Sequence, residues 1–456
     1  MKIYRNIWLW AGLVCTVINT AAAQESLSLS DAIQIGLQKN FDIRLQQKSL
    51  EIAANNNSWG EAGRYPTVSL NLNQSNGIND NIKTASPFQL QDITISNSIN
   101  PGVSVNWTLF NGFSVNINKR RLEQLQAETQ GNAAVVISNA IQSIILGYYR
   151  AVLEEQRLGE LKKQLSLSKD RLEYLQLKSE IGSAASADLL VIEGNYLTDS
   201  LNYINQQLVH RNALRDLNVL LVEDDLDKSY RLTDDLLNEF PAYTYESLRE
   251  KQLSQNVDLK KQYLTQAITS TGVDLAKANR YPSLVLNAGV SESRSRVDLS
   301  QASFPNGDGT FSPGPSDPLT AITDSYSANF GLSFTLFNGG RINRAIKNAI
   351  IQEDMANIQV DQLKYSLDRN LRQALDLYLI RQQTYAINQR REEVAKTNLA
   401  LSEEKFKNGT INSFDYRVVQ NNYLSAAILK LQAMYSLIDS HVSLMRLTGG
   451  LVETYQ

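Results

Sequence analysis

The residues able to support metal or nucleophilic chemistry are few in this chain, and they are badly spaced for it. It has two histidines, His210 and His441, and one cysteine, Cys15. A transition-metal centre needs three or four imidazole, thiolate or carboxylate ligands converging on one point, and isolated histidines without cysteine do not suggest one. No Gly-x-Ser-x-Gly elbow, P-loop or paired acid–base constellation occurs. Asn306-Gly307-Asp308-Gly309-Thr310 resembles the start of a calcium loop but lacks the downstream acid. Its glycines and neighbouring prolines read instead as a solvent loop. Glu223-Asp224-Asp225-Leu226-Asp227 and Asp234-Asp235 read as a solvated acidic connector. The chain is therefore expected to be no enzyme and to need no cofactor. Lys+Arg 44 against Asp+Glu 47 leaves no nucleic-acid footprint.

The elements that would have to position any site are duplicated. Ala62-Gly63-Arg64-Tyr65-Pro66 returns as Ala278-Asn279-Arg280-Tyr281-Pro282, 216 residues later. Thr108-Leu109-Phe110-Asn111-Gly112 returns as Thr335-Leu336-Phe337-Asn338-Gly339, 227 later, so one 11-residue insertion between Pro282 and Thr335 accounts for the drift. His210 and His441 are 231 apart and are not equivalents. Self-similarity of this kind predicts two copies of one unit, at a period too long for a solenoid. The divisions expected are a leader at 1–23, a first repeat at 24–240 and a second at 241–456.

Lys2 and Arg5, an apolar run from Ile7 to Ile18, and Ala21-Ala22-Ala23 make a secretory signal peptide cleaved after Ala23. The run is short for a membrane anchor. Val14 before Cys15 and Gly12 depart from the lipoprotein pattern, which argues against acylation. The mature chain then has no cysteine and relies on packing, or on assembly, for its stability. No later stretch is long and apolar enough to span a membrane as a helix; Val135 to Leu153 is broken by polar residues and reads as amphipathic.

Ser30 or Asp31 is expected to cap a helix running to about Ala62. After Pro66 the period changes to two: Val68, Leu70 and Leu72 alternate with Ser69, Asn71 and Asn73. Further alternating runs are Val103 to Leu109, Leu284 to Val290 and Tyr326 to Leu336. One face of these strands is apolar, the other is small, polar and uncharged, and aromatics sit at the strand ends: Tyr65, Phe110, Tyr281 and Phe337. A half-buried sheet with one wet face would explain the alternation; a membrane β-barrel explains the aromatics as well. The segments from about Asn76 to Ser98 and around Asn306 to Thr310 are expected to be loops on the far side.

Each Asn-Gly is followed by a proline-free helical stretch, Phe113 to about Ser179 and Gly340 to about Lys407, roughly 100 Å long at 1.5 Å per residue. Leu158, Leu161, Leu165, Leu172 and Leu175, with Ser168 filling the missing step, and later Leu424, Ile428, Leu431, Tyr435, Ile438, Val442 and Met445, keep a coiled-coil spacing. Turns at Ile181-Gly182-Ser183 and Asn408-Gly409-Thr410 send the chain back through about Leu221 and about Leu447. The opening and return helices together match one long helix in length, so they could stack beside it. Two strands per half give four per chain, which cannot close a barrel, whereas three chains give twelve strands and leave a lumen. The fold class expected is an internally duplicated α+β membrane protein: a long α-helical coiled-coil barrel plus four β-strands per chain contributing to a trimeric 12-stranded β-barrel.

The doubled Tyr-Pro before a strand, the doubled Leu-Phe-Asn-Gly closing one, and the turns from Gly182 to Asp188-Leu189-Leu190 and from Gly409 to Asp415 resemble the TolC family of outer membrane efflux proteins, across essentially the whole mature chain. The resemblance implies a homotrimer in the outer membrane, among its lipid, with a long periplasmic extension. It implies a passive exit duct of a tripartite efflux pump or type I secretion system, with a periplasmic adaptor (membrane fusion) protein and an inner-membrane transporter of RND, ABC or MFS type as partners. It also implies adaptor docking at Gly182, Ser183, Gly409 and Thr410, a tip constriction at Asp188 and Asp415, and a periplasmic-side aromatic girdle of Tyr65, Phe110, Tyr281 and Phe337. Ile411 and Val418 replace an arginine and an aspartate that some relatives use at the tip, which argues against a salt-bridge latch at those positions. Helix N-capping explains Asp188 and Asp415 equally well. The alternative function is a non-channel periplasmic coiled-coil scaffold, which would not need aromatic-bounded apolar strand faces.

Overall fold

The computed structural model describes residues 25–85, 88–181, 185–236 and 240–451; the leader, with Cys15, lies outside the described residues. The chain enters through a short strand β1 (Glu25–Leu27). Ser28 then starts helix α1 (Leu29–Lys39) by a capping box: its Oγ accepts from the Asp31 amide at 3.1 Å, and the Asp31 carboxylate accepts from the Ser28 amide at 3.3 Å. The cap is thus Ser28, not Ser30 or Asp31. The expected single helix is also divided. Asn40 ends α1, and its Oδ1 accepts from the amides of Asp42 and Ile43 to restart the chain as α2 (Phe41–Asn56). Tight turns follow through residues 57–64.

Beyond Pro66 come strands β2 (Thr67–Ala85) and β3 (Phe88–Asn111), which pair antiparallel from Thr67↔Asn106 to Ala85↔Phe88. Asn76 to Ser98 is therefore a hairpin, not a loop. Its residues alternate too, Ile78 and Ile95 facing each other across the ladder, but polar residues at both parities hide the period. Helix α3 (Ser114–Glu180) has 67 residues and its return α4 (Ser186–Leu221) has 36. A three-residue strand β4 (Tyr230–Leu232) pairs parallel with β1, and α5 (Tyr245–Gln255) and α6 (Val257–Ala278) follow. Strand β5 (Ser283–Gln301), the small hairpin β6 (Ser303–Pro305) and β7 (Phe311–Pro313), and β8 (Leu319–Ser333) come next. Asn306 to Thr310 is the turn of that hairpin. Helix α7 (Arg341–Lys407), again 67 residues, and α8 (Ser413–Leu447), 35 residues, close the described chain. The main sheet has the order β2-β3-β5-β8.

The chain forms two compact units, each drawing on both halves of the sequence. The first takes Met1–Ile43, Ile137–Ser254 and Asn370–Gln456. Its core packs Ile141, Ile144, Tyr148 and Val152 of α3 against Leu217 and Leu221 of α4, Ala32 and Ile33 of α1, and Ile438 of α8. Contrary to expectation, α3 does contain a stretch long and apolar enough to cross a membrane, half of it buried; Ile141, Ile144, Tyr148 and Leu153 of this helix are wholly buried. The acidic connector is fastened into the same unit. Asp234 accepts from the Leu29 amide at 2.7 Å and from the Tyr148 hydroxyl at 3.0 Å, and Glu223 pairs with Lys39 and Lys228. Asp224, Asp225, Asp227 and Asp235 are exposed, as the composition suggested; Glu223 and Asp234 are the two acids that depart from it. His441 lies among Phe240, Tyr243 and Tyr378, its Nδ1 3.2 Å from the Tyr243 hydroxyl.

The second unit takes Arg44–Val136 and Gln255–Arg369: the main sheet with the helices that enter and leave it. Polar contacts join those helices. Arg120 pairs with Asp274, and Thr265 donates to Glu128 at 2.6 Å.

Candidate functional site

The sheet of the second unit separates its side chains by kind. Cross-strand register places Val68, Val105, Ala288 and Ala328 in one row, and Leu70, Val103, Val290 and Tyr326 in the next. The intervening rows read Thr67, Asn106, Asn287, Asn329, and then Ser69, Ser104, Gly289, Ser327. The polar rows are cross-linked: Asn106 donates to Asn287 Oδ1 at 2.7 Å, and Asn71 to Ser104 Oγ at 3.2 Å. The apolar rows are bare, with Leu70 79% and Tyr326 78% exposed in the single chain. Four apolar rows, from Leu284 and Leu332 to Val290 and Tyr326, give a band about 20 Å long on strands tilted as in barrels. That approaches the ~25 Å lipid-facing band of outer-membrane barrels.

Of the aromatics expected to ring the strand ends, two come together. The register slips by one residue at Leu109, so Phe110 leaves the polar parity and pairs with Leu284. Its ring meets Phe113 at 5.2 Å, and Phe113 meets Tyr281 at 6.2 Å. Tyr65 and Phe337 are exposed and outside this cluster. Trp107, near the same strand end, donates its indole N–H to the Arg64 carbonyl at 2.9 Å. The Leu-Phe-Asn-Gly motif has a backbone cause. Gly112 has φ +66, and a Cβ there would land 2.8 Å from the Tyr281 Cβ and inside the contact radius of the Ala278 carbonyl oxygen. Gly339 repeats the conformation with φ +67.

In the first unit, α7 ends on Gly409 in a Schellman turn. With φ +72, Gly409 donates to the Phe406 carbonyl at 3.0 Å while Thr410 donates to that of Lys405 at 2.8 Å. Both residues are exposed. Gly182 and Ser183 lie outside the described residues. Asp188 and Asp415 each occupy the third position of their helix, exposed, and neither is the N-cap. Asn412 caps α8, accepting from the Asp415 amide at 2.8 Å, and Ala185 precedes α4 with no side-chain cap. Both carboxylates therefore sit where a helix dipole favours them.

Between the two tips is a buried polar cluster that the leucine spacing concealed. The leucines of the expected seam, Leu158, Leu161, Leu165, Leu172 and Leu175, are only half buried; its one polar step, Ser168, is buried, as are Gln164 and Arg171 beside it. Asp199 of α4 is 3% exposed and takes a bidentate ion pair from Arg417 of α8, with Nη1–Oδ2 2.6 Å and Nη2–Oδ1 2.7 Å. Ser168 also donates to Asp199, and Gln164 reaches it at 3.3 Å. Arg171 donates to the carbonyl and hydroxyl oxygens of Ser413 and lies 5.2 Å and 5.5 Å from the stacked rings of Phe406 and Tyr416. Burial, then the neighbouring charge of Arg417, push the Arg171 guanidinium down to about 10. Arg171 lies nine residues before the end of α3 (180 − 171) yet meets the first residue of α8. The α7–α8 turn thus stands roughly 14 Å short of the end of α3 at 1.5 Å per residue. That stagger separates Asp188 from Asp415 along the helices. An Arg–Asp pair does couple these helices, but from Asp199 and Arg417 rather than from the positions held by Ile411 and Val418. A buried carboxylate 11 residues past Asp188 was a visible signal, but only in retrospect.

Two bare apolar stripes complete the first unit. Ile380, Ile387, Val394 and Leu401 recur every seven residues on α7, and Leu190, Leu197, Leu201, Ile204 and Leu208 line α4; all are more than half exposed in the single chain.

Residues 248–450 match the family described as outer membrane efflux protein. No curated protein matches the chain in sequence. Among solved structures, the CmeC outer membrane channel of Campylobacter jejuni superposes with TM-score 0.71 at 18% identity, over 92% of this chain and 85% of that one. The open-state MtrE outer membrane channel of Neisseria gonorrhoeae gives 0.65 at 17%, over 93% and 89%. The outer membrane protein VceC of Vibrio cholerae gives 0.66 at 13%, over 92% and 96%. Residues 248–450 of the second half thus match the outer membrane efflux protein family, and the chain as a whole has the fold of outer membrane channels.

Proposed function

We propose that three copies of this chain close the sheet into one twelve-stranded barrel and act as the exit duct of a tripartite efflux pump or type I secretion system. The observation that carries this reading is the sheet itself. β2 and β8 end it with 19- and 15-residue edges that no other strand pairs among the described residues, and no described residue covers its apolar face. Cyclic addition of β8 of one copy to β2 of the next satisfies both edges and leaves a polar lumen. The apolar stripes of α4 and α7 are the matching helical surfaces, each seeking a seam in a neighbouring copy. Energy comes from the inner-membrane transporter, linked through a periplasmic adaptor that docks on the turns at Gly182, Ser183, Gly409 and Thr410. Asp188 and Asp415 form acidic rings at the narrow end.

Reconstitution tests the reading. Protein extracted from outer membranes is expected to have the mass of three chains and to conduct in planar bilayers. Asp188→Ala with Asp415→Ala is expected to reduce its cation preference, as acidic rings set selectivity in cation pathways. A monomer released by osmotic shock, with no conductance, would support the periplasmic scaffold instead. Unchanged selectivity in the double variant would leave the acids a helix-terminus role only.

A further inference from the structure

The strands of the main sheet carry charges of both signs, and on β5 and β8 register puts them on one side, while Asp92 of β3 shares the polar parity farther along, opposite Asn81. Glu292, Arg294 and Asp324 share the parity of the apolar band, Glu292 pairing with Arg294 and lying directly across from Asp324. On the other parity, every residue in the rows from Thr67 to Ser75 and their registered partners is Ser, Thr, Asn, Gly or Ala. These charges lie just beyond the Val290 and Tyr326 row that ends the apolar band, where a lipid-side charge costs little. A wet lumen accommodates charges freely and uses them to tune selectivity. Alongside the band the opposite face carries none and is lined with amides and hydroxyls. Glycines keep that lining thin: a Cβ on Gly102 would touch the Ser291 Cβ at 3.0 Å, and one on Gly289 the Val103 carbonyl at 3.1 Å.

We infer that the membrane segment of this duct is a neutral hydrogen-bonding bore, which passes anionic, cationic and uncharged cargo alike and leaves any sorting by charge to other parts of the assembly. The inference rests on the channel reading, with the polar face turned inward. Its physical content is that the local potential in the bore is close to that of bulk electrolyte. A uniform amide and hydroxyl wall also offers continuous exchangeable hydrogen bonds to a hydrated solute, with no fixed charge to hold it.

The cleaved chain has no cysteine, so single thiols report the potential directly. Ser104→Cys, Ser291→Cys and Ser327→Cys are near-isosteric and lie on three different strands. Each variant trimer, reconstituted in lipid, is treated with a cationic and an anionic alkyl thiosulfonate, and the ratio of the two rates is divided by the ratio for a free thiol in bulk. The expected ratio is within about threefold of one at all three sites and insensitive to salt, because an uncharged wall has nothing to screen. A bias of about tenfold or more toward either reagent, collapsing near 1 M salt, overturns the inference. Val105→Cys, on the apolar face, separates this from failure of the channel reading. It is expected to stay unmodified in lipid, and reaction at Val105 with none at the serines would show the faces to be reversed.

Discussion

Replacing Asp199 with alanine tests how the tip is held. The side chain is 4% exposed and satisfies Arg417, 12% exposed, through two short contacts. Removing one member of a buried, hydrogen-bonded pair costs about 3–5 kcal/mol, because the survivor keeps its desolvation penalty. Here the survivor is worse placed than usual: Arg417 would face Arg171, whose proton its charge already loosens. At the lower figure the first turns of α8 would open about 100-fold more often. Hydrogen exchange on the peptide spanning residues 413–420 of the assembled protein reads this directly. Asp199→Ala is expected to speed exchange there by that factor while the peptide spanning residues 437–444, in the core of the first unit, is unchanged. A double variant, Asp199→Leu with Arg417→Leu, is expected to recover most of the protection, since apolar groups of similar volume replace buried pairs at little cost. Exchange within about threefold of the parent in the single variant, or a double variant worse than either single one, would refute the assignment of a coupled pair.

Gly112→Ala is expected to destabilise the strand end by about 1–3 kcal/mol, through its positive φ and the approach of Ala278, whereas Gly339→Ala pays only the backbone strain because nothing lies within 4 Å; thermal unfolding of the two variants should rank them so. Burial among Phe240, Tyr243 and Tyr378 holds the His441 imidazole below its ordinary value of 6.5. The unfolded chain then takes up a proton near pH 6.5 that the folded chain refuses. His441 therefore contributes full stability above about pH 6.5 and loses it as the pH falls from there toward the depressed folded value. His441→Phe is expected to flatten the fall in melting temperature between pH 7.5 and 5.5, and an unchanged slope would show that other groups set it.

Patterns that repeat at short range were legible before the fold. The two 67-residue helices, their return helices ending at Leu221 and Leu447, and the apolar parity of Val68 to Leu72 and Leu284 to Val290 follow from period and punctuation alone. The misses have local causes. Asn40 interrupts a helix whose apolar positions continue in phase past it, so only the side-chain cap reveals the break. The strands beyond Asn76 and before Ser98 carry polar residues at both parities, and the ladder rather than the pattern defines them. β1 and β4 are three residues each, too short for any period to register.

By itself the sequence determined the elements, their duplication and which face of each strand is apolar, because propensity and periodicity act between residues a few positions apart. The tertiary structure decided which strands are neighbours, that the bulge at Leu109 turns Phe110 to the apolar side, and that Asp199, Arg417 and Arg171 meet. Residues more than 200 positions apart in the chain, such as Asp199 and Arg417, carry no mutual spacing signal; a buried charge finds its partner only when the packing of three helices fixes both. The leucines beside them looked like the seam because hydrophobicity is visible in one dimension, whereas the pairing that makes a buried aspartate tolerable is visible only in three.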